Sequence, residues 1–245
     1  MSSFLLINVL DTARSLGPDP FNATPKTVYD WLLEQYLSKR GGSFNYDPAS
    51  LATYDLFRGA VGKEQAIEYC RTNGNPKGRD QNASAVKAVA DFALANVSRC
   101  HKVGFLAVEV GRASGKSVYV GIKSPFIRIR EGSANLVMPG FRMSYEPSER
   151  EIDVACAIVR AHLARDDYEQ ADIEYLYAGS NGAGGRAFRS ILGKDRDLPD
   201  IDQVDSLLQV YVEGIDMLIR SGQKVSAPNF RGYQKRSFDQ PGFAW

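Results

Sequence analysis

The sequence predicts an α+β fold: a small antiparallel sheet at about residues 102–143, flanked by N-terminal and C-terminal helical arms. Three observations lead there. Between Lys102 and Met143 apolar and polar residues alternate with a period of two, as in half-buried strands. The segments on either side repeat their apolar residues every third or fourth position, as amphipathic helices do. Glycine and proline clusters mark the breaks between these stretches. One domain is expected over residues 1–225, with a helical arm at 24–98, a β-meander at 102–143 and a second arm at 148–222. An extended tail, 226–245, follows.

Phe4 to Leu10 is apolar and reads as either a strand or the first turns of a helix. It lacks a basic lead-in and a small-residue cleavage site and is too short for a bilayer, so neither a signal peptide nor a membrane segment is expected. Gly17-Pro-Asp-Pro20 is a turn. Thr24 can cap a helix with Pro25 at its first position, carrying Val28, Trp31, Leu32 and Leu37 up to Gly41-Gly42. Asp47-Pro48 starts another helix with Leu51, Leu56 and Phe57, and Gly62 separates it from a short helix, Lys63 to Arg71. Helices joined at a glycine admit a helix-turn-helix reading, but Ile67 is the single strong apolar anchor of the second, which favours plain core packing. Residues 72–79 form a polar loop with two positive charges, Lys77 and Arg79, read as a solvated connection. A helix at about Ser84 to Ser98 places Val86, Val89, Ala90, Ala93 and Val97 on one stripe.

The strands are read as 103–110, 117–123, 126–130 and 135–143. With Leu106, Val108, Val110, Val118, Val120, Ile122, Ile127 and Ile129 turned inward, the opposite face carries Glu109, Tyr119, Lys123, Arg128 and Arg130 in water. Ser148-Glu-Arg-Glu151 is a capping box opening a helix to about Arg165, apolar on more than one side and expected against the sheet. Residues 168–178 are ambiguous between helix and strand. A helix at about Ile201 to Ser221 has Asp200 as cap, a stripe from Val204 to Leu218, and Gly222 as stop.

Composition bounds the function. The 245 residues are 44% hydrophobic and 24% charged, an ordinary globular balance. Thirty Lys and Arg against 29 Asp and Glu leave a net charge of +1, so no global field draws nucleic acid or membrane, and any polyanion must be read by a local patch. Cys70, Cys100 and Cys156 are few, odd in number and far apart, which favours reduced thiols and a cytoplasmic protein. Asn-X-Ser/Thr matches at Asn22, Asn82 and Asn96 matter only in a secreted chain.

Several stretches invite chemistry. Gly111-Arg-Ala-Ser-Gly115-Lys116-Ser117 is one residue short of a phosphate-binding loop and is followed by a strand, so it reads as a hairpin turn from which Arg112 or Lys116 can touch phosphate. Gly179-Ser-Asn-Gly182-Ala-Gly184-Gly185-Arg186 precedes a stretch, Ala187 to Leu192, read as helical. Its free amides can then hold a phosphate or carboxylate beside Arg186 and Arg189, although a flexible interhelical loop is the plainer reading. His101 and His162 are the only histidines, and neither has metal-ligand spacing, so no metal and no cofactor are expected. A Cys100–His162 pair lacks any orienting signal, and the catalytic residues, if any, are unknown.

The leading expectation is a non-catalytic cytoplasmic binding or assembly protein, with nucleic acid as the first partner and the membrane excluded. Its anion contacts are Arg112, Lys116, Lys123, Arg128, Arg130, Arg186 and Arg189. The aromatic and basic tail, with Phe230, Arg231, Tyr233, Lys235, Arg236 and Trp245, is expected to wrap onto its own chain or dock on a protein partner. Two alternatives stand beside it: an enzyme binding a phosphorylated or carboxylated small molecule at 179–189, and a structural subunit held in a larger complex by its tail.

Overall fold

A computed structural model describes residues 4–37, 44–104, 106–122, 126–164 and 168–223. Eight strands are described: β1 (Phe4–Asn8), β2 (Arg99–Lys102), β3 (Leu106–Ala113), β4 (Lys116–Ile122), β5 (Phe126–Arg130), β6 (Ser133–Gly140), β7 (Asp172–Tyr177) and β8 (Arg189–Leu192). Seven α-helices accompany them: α1 (Val9–Ser15), α2 (Pro25–Leu37), α3 (Asp47–Phe57), α4 (Lys63–Thr72), α5 (Arg79–Ala95), α6 (Glu149–Leu163) and α7 (Ile201–Arg220). The class is α+β, with helices flanking sheets. The strands make two mixed sheets, ordered β1-β4-β3 and β2-β5-β6-β7-β8, where one antiparallel meander was expected. Residues 4–37, 106–122 and 205–223 belong to one compact unit, and 44–104, 126–164 and 168–204 to a second.

In the first unit the ambiguous N-terminal run becomes both of its alternatives in succession. β1 lies parallel to β4, and Asn8 then stops the strand by accepting the Asp11 amide at 2.9 Å as the cap of α1. The β3–β4 hairpin turns through Ser114 and Gly115, both at positive φ (46° and 77°), the two-residue turn whose twist matches paired strands. Val118, Val120 and Ile122 are fully buried on β4, while Leu106, Val108 and Val110 of β3 are only half-buried. Helix α7 is capped as read, with the Gln203 amide donating to Asp200 Oδ1 at 2.9 Å, and it buries Leu207, Leu208, Tyr211, Val212, Ile215 and Leu218. Gly214 lets α7 pass close to α2: a Cβ there would stand 2.5 Å from Val28 Cβ and 2.8 Å from the Pro25 carbonyl.

The second unit is a five-stranded sheet with helices α3, α4 and α5 on one face. Phe57, Val86, Val89 and Ala90 from the helices close over Cys100, Phe126, Val137 and Leu176 of the sheet. Ser148 caps α6 reciprocally, accepting from the Glu151 amide at 3.2 Å while its own amide donates to Glu151 Oε2 at 2.6 Å. Through α6 the chain returns so that β7 lies parallel to β6. The ambiguous segment 168–178 is therefore a strand at its centre. It shows no alternation because β7 is buried on both faces, Ile173, Tyr175 and Tyr177 on one side and Glu174 and Leu176 on the other.

Residues 187–192, read as helical, are instead strand β8 and the two residues leading into it, and β8 pairs antiparallel with β7. Four strand residues are too few to display a period, and their backbone groups are satisfied by β7. In α4, Ala66 and Cys70 are buried and the outer face exposes Glu64 and Glu68, so the helix packs as core structure and offers no cationic face to a groove. Among the described residues no helix is long and apolar enough to cross a membrane.

Candidate functional site

The glycine loop has no helix N-terminus behind it, and its own amides are spent locally. Asn181 Oδ1 accepts from the amides of Ala183 and Gly185, both at 2.9 Å, and Ser180 Oγ accepts from Gly182 at 3.1 Å. Arg186 closes the loop from within. Its Nη1 donates to the Phe141 carbonyl at 2.8 Å and to the Ala178 carbonyl, its Nη2 to the carbonyl and side chain of Gln81 at 3.0 and 3.1 Å, and its Nε to Ser84 Oγ at 2.7 Å. Tyr46 covers the guanidinium with its ring centre 5.7 Å away. Every nitrogen of Arg186 is engaged within the fold, so this residue is a structural clamp. Arg189 stands over the Tyr177 ring and pairs with Glu146 at 3.0 Å and Glu149 at 3.5 Å. Glu149 also pairs with Arg196, which grips Asp153 at 2.7 Å. Three carboxylates for two arginines make that surface unattractive to phosphate.

Arg128 overturns the expectation of a wet arginine face. It is 7% exposed, because the face of β5 it occupies lies under the α3–α5 layer. It is tolerated there by a two-pronged ion pair with Glu174, itself at 0% exposure: Nη2 donates to Oε1 at 3.0 Å and Nε to Oε2. Ser190 Oγ adds a bond to Glu174 Oε1 at 2.6 Å, and the Phe57 ring centre lies 5.3 Å from the guanidinium. This polar cluster is built to hold β5, β7 and β8 together. Arg112 and Lys116 sit on the β3–β4 hairpin of the first unit, Arg112 exposed and Lys116 half-buried. Lys123 and the tail residues Phe230, Arg231, Tyr233, Lys235, Arg236 and Trp245 lie outside the described residues. Among the described second-unit members of the expected contact set, only Arg130 is both exposed and away from the acidic cluster.

Arg130 leads to a different surface, the free edge of the sheet at β2. Cys100 is buried while Arg99, His101 and Lys102 are exposed. Strand alternation puts Lys102 on the face of Cys100, and Lys102 Nζ lies 5.2 Å from the Tyr54 ring centre of α3; Arg99 and His101 stand on the opposite face. Arg58, just past the end of α3, covers Tyr54 from 5.2 Å, and Arg130 reaches Asn96 and, at 3.3 Å, Glu131. The Ser98 amide donates to the Phe57 carbonyl at 2.7 Å, tying β2 to the end of α3. Arg58 has one distant acidic neighbour, Asp55 at 3.7 Å, and Arg99 and Lys102 have no acidic partner among the described residues. Among the described residues the edge therefore carries four permanent cations against two carboxylates. The run Arg-Cys-His-Lys at 99–102 announced it, but a first strand begun at Val103 leaves those residues in a connection.

Burial pushes the Cys70 and Cys156 thiols up to about 12 and raises Cys100 as well, the last opposed in part by Arg128 and Arg58. All three are free and, so shifted, they are poor nucleophiles at neutral pH. Among the described residues no group of three or more His, Cys, Asp or Glu side chains could hold a metal ion.

No protein-family model matches the chain, and no curated protein matches it in sequence. Among solved structures it is similar to one titled "Crystal structure of SSO0001", at 10% identity over 78% of this chain and 85% of that one, with a TM-score of 0.35, a likeness too slight to carry any argument.

Proposed function

We propose that this chain is a non-catalytic cytoplasmic binding protein that holds nucleic acid through its phosphates at the β2 edge. The observation that carries the reading is the pair of exposed cations on an edge strand, Arg99 and Lys102, without an acidic partner among the described residues and bordered by Arg58 and Arg130. The Arg58–Asp55 and Arg130–Glu131 pairs are solvent-exposed contacts worth little, so both arginines can exchange a carboxylate for a phosphate at small cost. Three free, buried thiols suit a reducing compartment.

With four phosphates engaged, log K is expected to fall with log[salt] at a slope of about −3.6, or roughly 100-fold in affinity between about 50 and about 200 mM salt. Fluorescence anisotropy with a labelled oligonucleotide measures this. The double variant Arg99→Glu/Lys102→Glu should lose binding while keeping its unfolding temperature, since neither side chain is buried. An affinity indifferent to salt, or untouched by that variant, refutes the reading.

A further inference from the structure

Resting on that reading, we infer that the ligand is double-stranded and is gripped by its two backbones, with no base read by stacking. Two features of the β2 edge lead there. The first is the placement of its charges on both faces of the strand: Lys102 with Arg58 and Arg130 on the helix-covered face, Arg99 on the other. Long basic side chains on opposite faces of one strand hold their charges roughly 10 Å apart, the thickness a sheet occupies with its side chains. The two backbones bordering a duplex groove lie about 6–12 Å apart, whereas a single strand offers one row of phosphates. One strand edge with cations on both faces therefore meets a groove with a phosphate row on each side.

The second feature is that the aromatic rings beside the edge are already committed. Single-strand binders stack bases on open aromatic faces. Tyr54 is 8% exposed, with Lys102 and Arg58 both 5.2 Å from its ring centre, and Phe57 and Phe126 are at 0% exposure. Phe92 is held between Phe57 and Phe188. His101 apart, no ring among the described residues of this edge is exposed to take a base. The cations that occupy the Tyr54 ring also raise the local positive potential, so one arrangement removes the stacking platform and strengthens the phosphate contact.

The test compares mixed-sequence DNA and RNA duplexes of about 20 base pairs with the corresponding single strands, by anisotropy, on the full chain. The expected result is that a duplex binds at least about tenfold more tightly than either single strand and that duplexes of different sequence bind alike. Arg99→Glu and Lys102→Glu, one from each face, should each weaken duplex binding about tenfold and lower the salt slope by about 1. Single strands bound as well as duplexes, or sensitivity to only one of the two reversals, overturns the two-face arrangement while leaving phosphate binding at this edge intact. If neither duplex nor single strand binds a chain that unfolds cooperatively, the nucleic-acid reading itself falls with it.

Discussion

Replacing Arg128 by leucine removes one half of an ion pair whose other half, Glu174, has no exposure to water. The carboxylate cannot move out to solvent, because its strand is buried on both faces and Phe57 of the covering helical layer packs over the pair. Of its partners only Ser190 is left, at 2.6 Å. Orphaning one member of such a pair costs about 3–5 kcal/mol, and the retained serine bond keeps the figure toward the lower end. For a chain of this size that is a fall of about 6–12 °C in unfolding temperature. The double variant Arg128→Leu/Glu174→Leu removes both charges and should recover to within about 1–2 kcal/mol of the native chain, since an apolar replacement of a buried pair is often nearly neutral. Urea unfolding of the native protein, the two single variants and the double variant closes the cycle, with an expected coupling of at least about 2 kcal/mol. A loss below about 1 kcal/mol in Arg128→Leu refutes the argument: it would mean that water reaches Glu174 or that the pair contributes nothing.

Gly214→Ala should destabilise, although alanine in a helix ordinarily gains about 1 kcal/mol over glycine. Its Cβ would meet Val28 at 2.5 Å and the backbone of Pro25 at 2.8 Å, an overpacking cost of about 1–3 kcal/mol, and a raised unfolding temperature would contradict that. Arg186→Lys should cost about 2–4 kcal/mol in urea unfolding, because one ammonium cannot replace a planar fork serving Phe141, Ala178, Gln81 and Ser84. Cys156 makes stability fall at alkaline pH. Its folded thiol keeps its proton up to about 12 while the unfolded thiol releases it near 9.0, so the native state binds more protons between those values. Stability should decline across that window by up to about 1.4 kcal/mol per pH unit from this group, and Cys156→Ala should flatten the decline in urea midpoints measured from pH 9 upward.

The parts of the fold legible in the sequence are those decided by a few neighbouring residues. Ser148 and Glu151 cap α6, Asp200 caps α7 and Gly222 ends it, and the Ser114-Gly115 turn closes a hairpin, because each rests on contacts within a handful of positions. What failed depends on distant partners. A period of two says that Ile127 and Arg128 point opposite ways, but whether Arg128 is wet is decided by α3 and α5, whose docking leaves no trace in β5 itself. β7 hides its strand character because it is buried on both faces, and β8 because it is four residues long. The candidate edge was missed for a related reason: Arg99 and Lys102 gain meaning only once Tyr54, Arg58 and Arg130 are brought beside them.

The glycine loop has a practical use. Ala183 is exposed between Gly182 and Gly184, and only its amide is engaged. The three native thiols are buried and hold their protons well above neutrality, so a cysteine introduced as Ala183→Cys would react with a maleimide dye far ahead of them. The chain thus carries a ready attachment point for single-site fluorescence work that leaves Arg99 and Lys102 untouched.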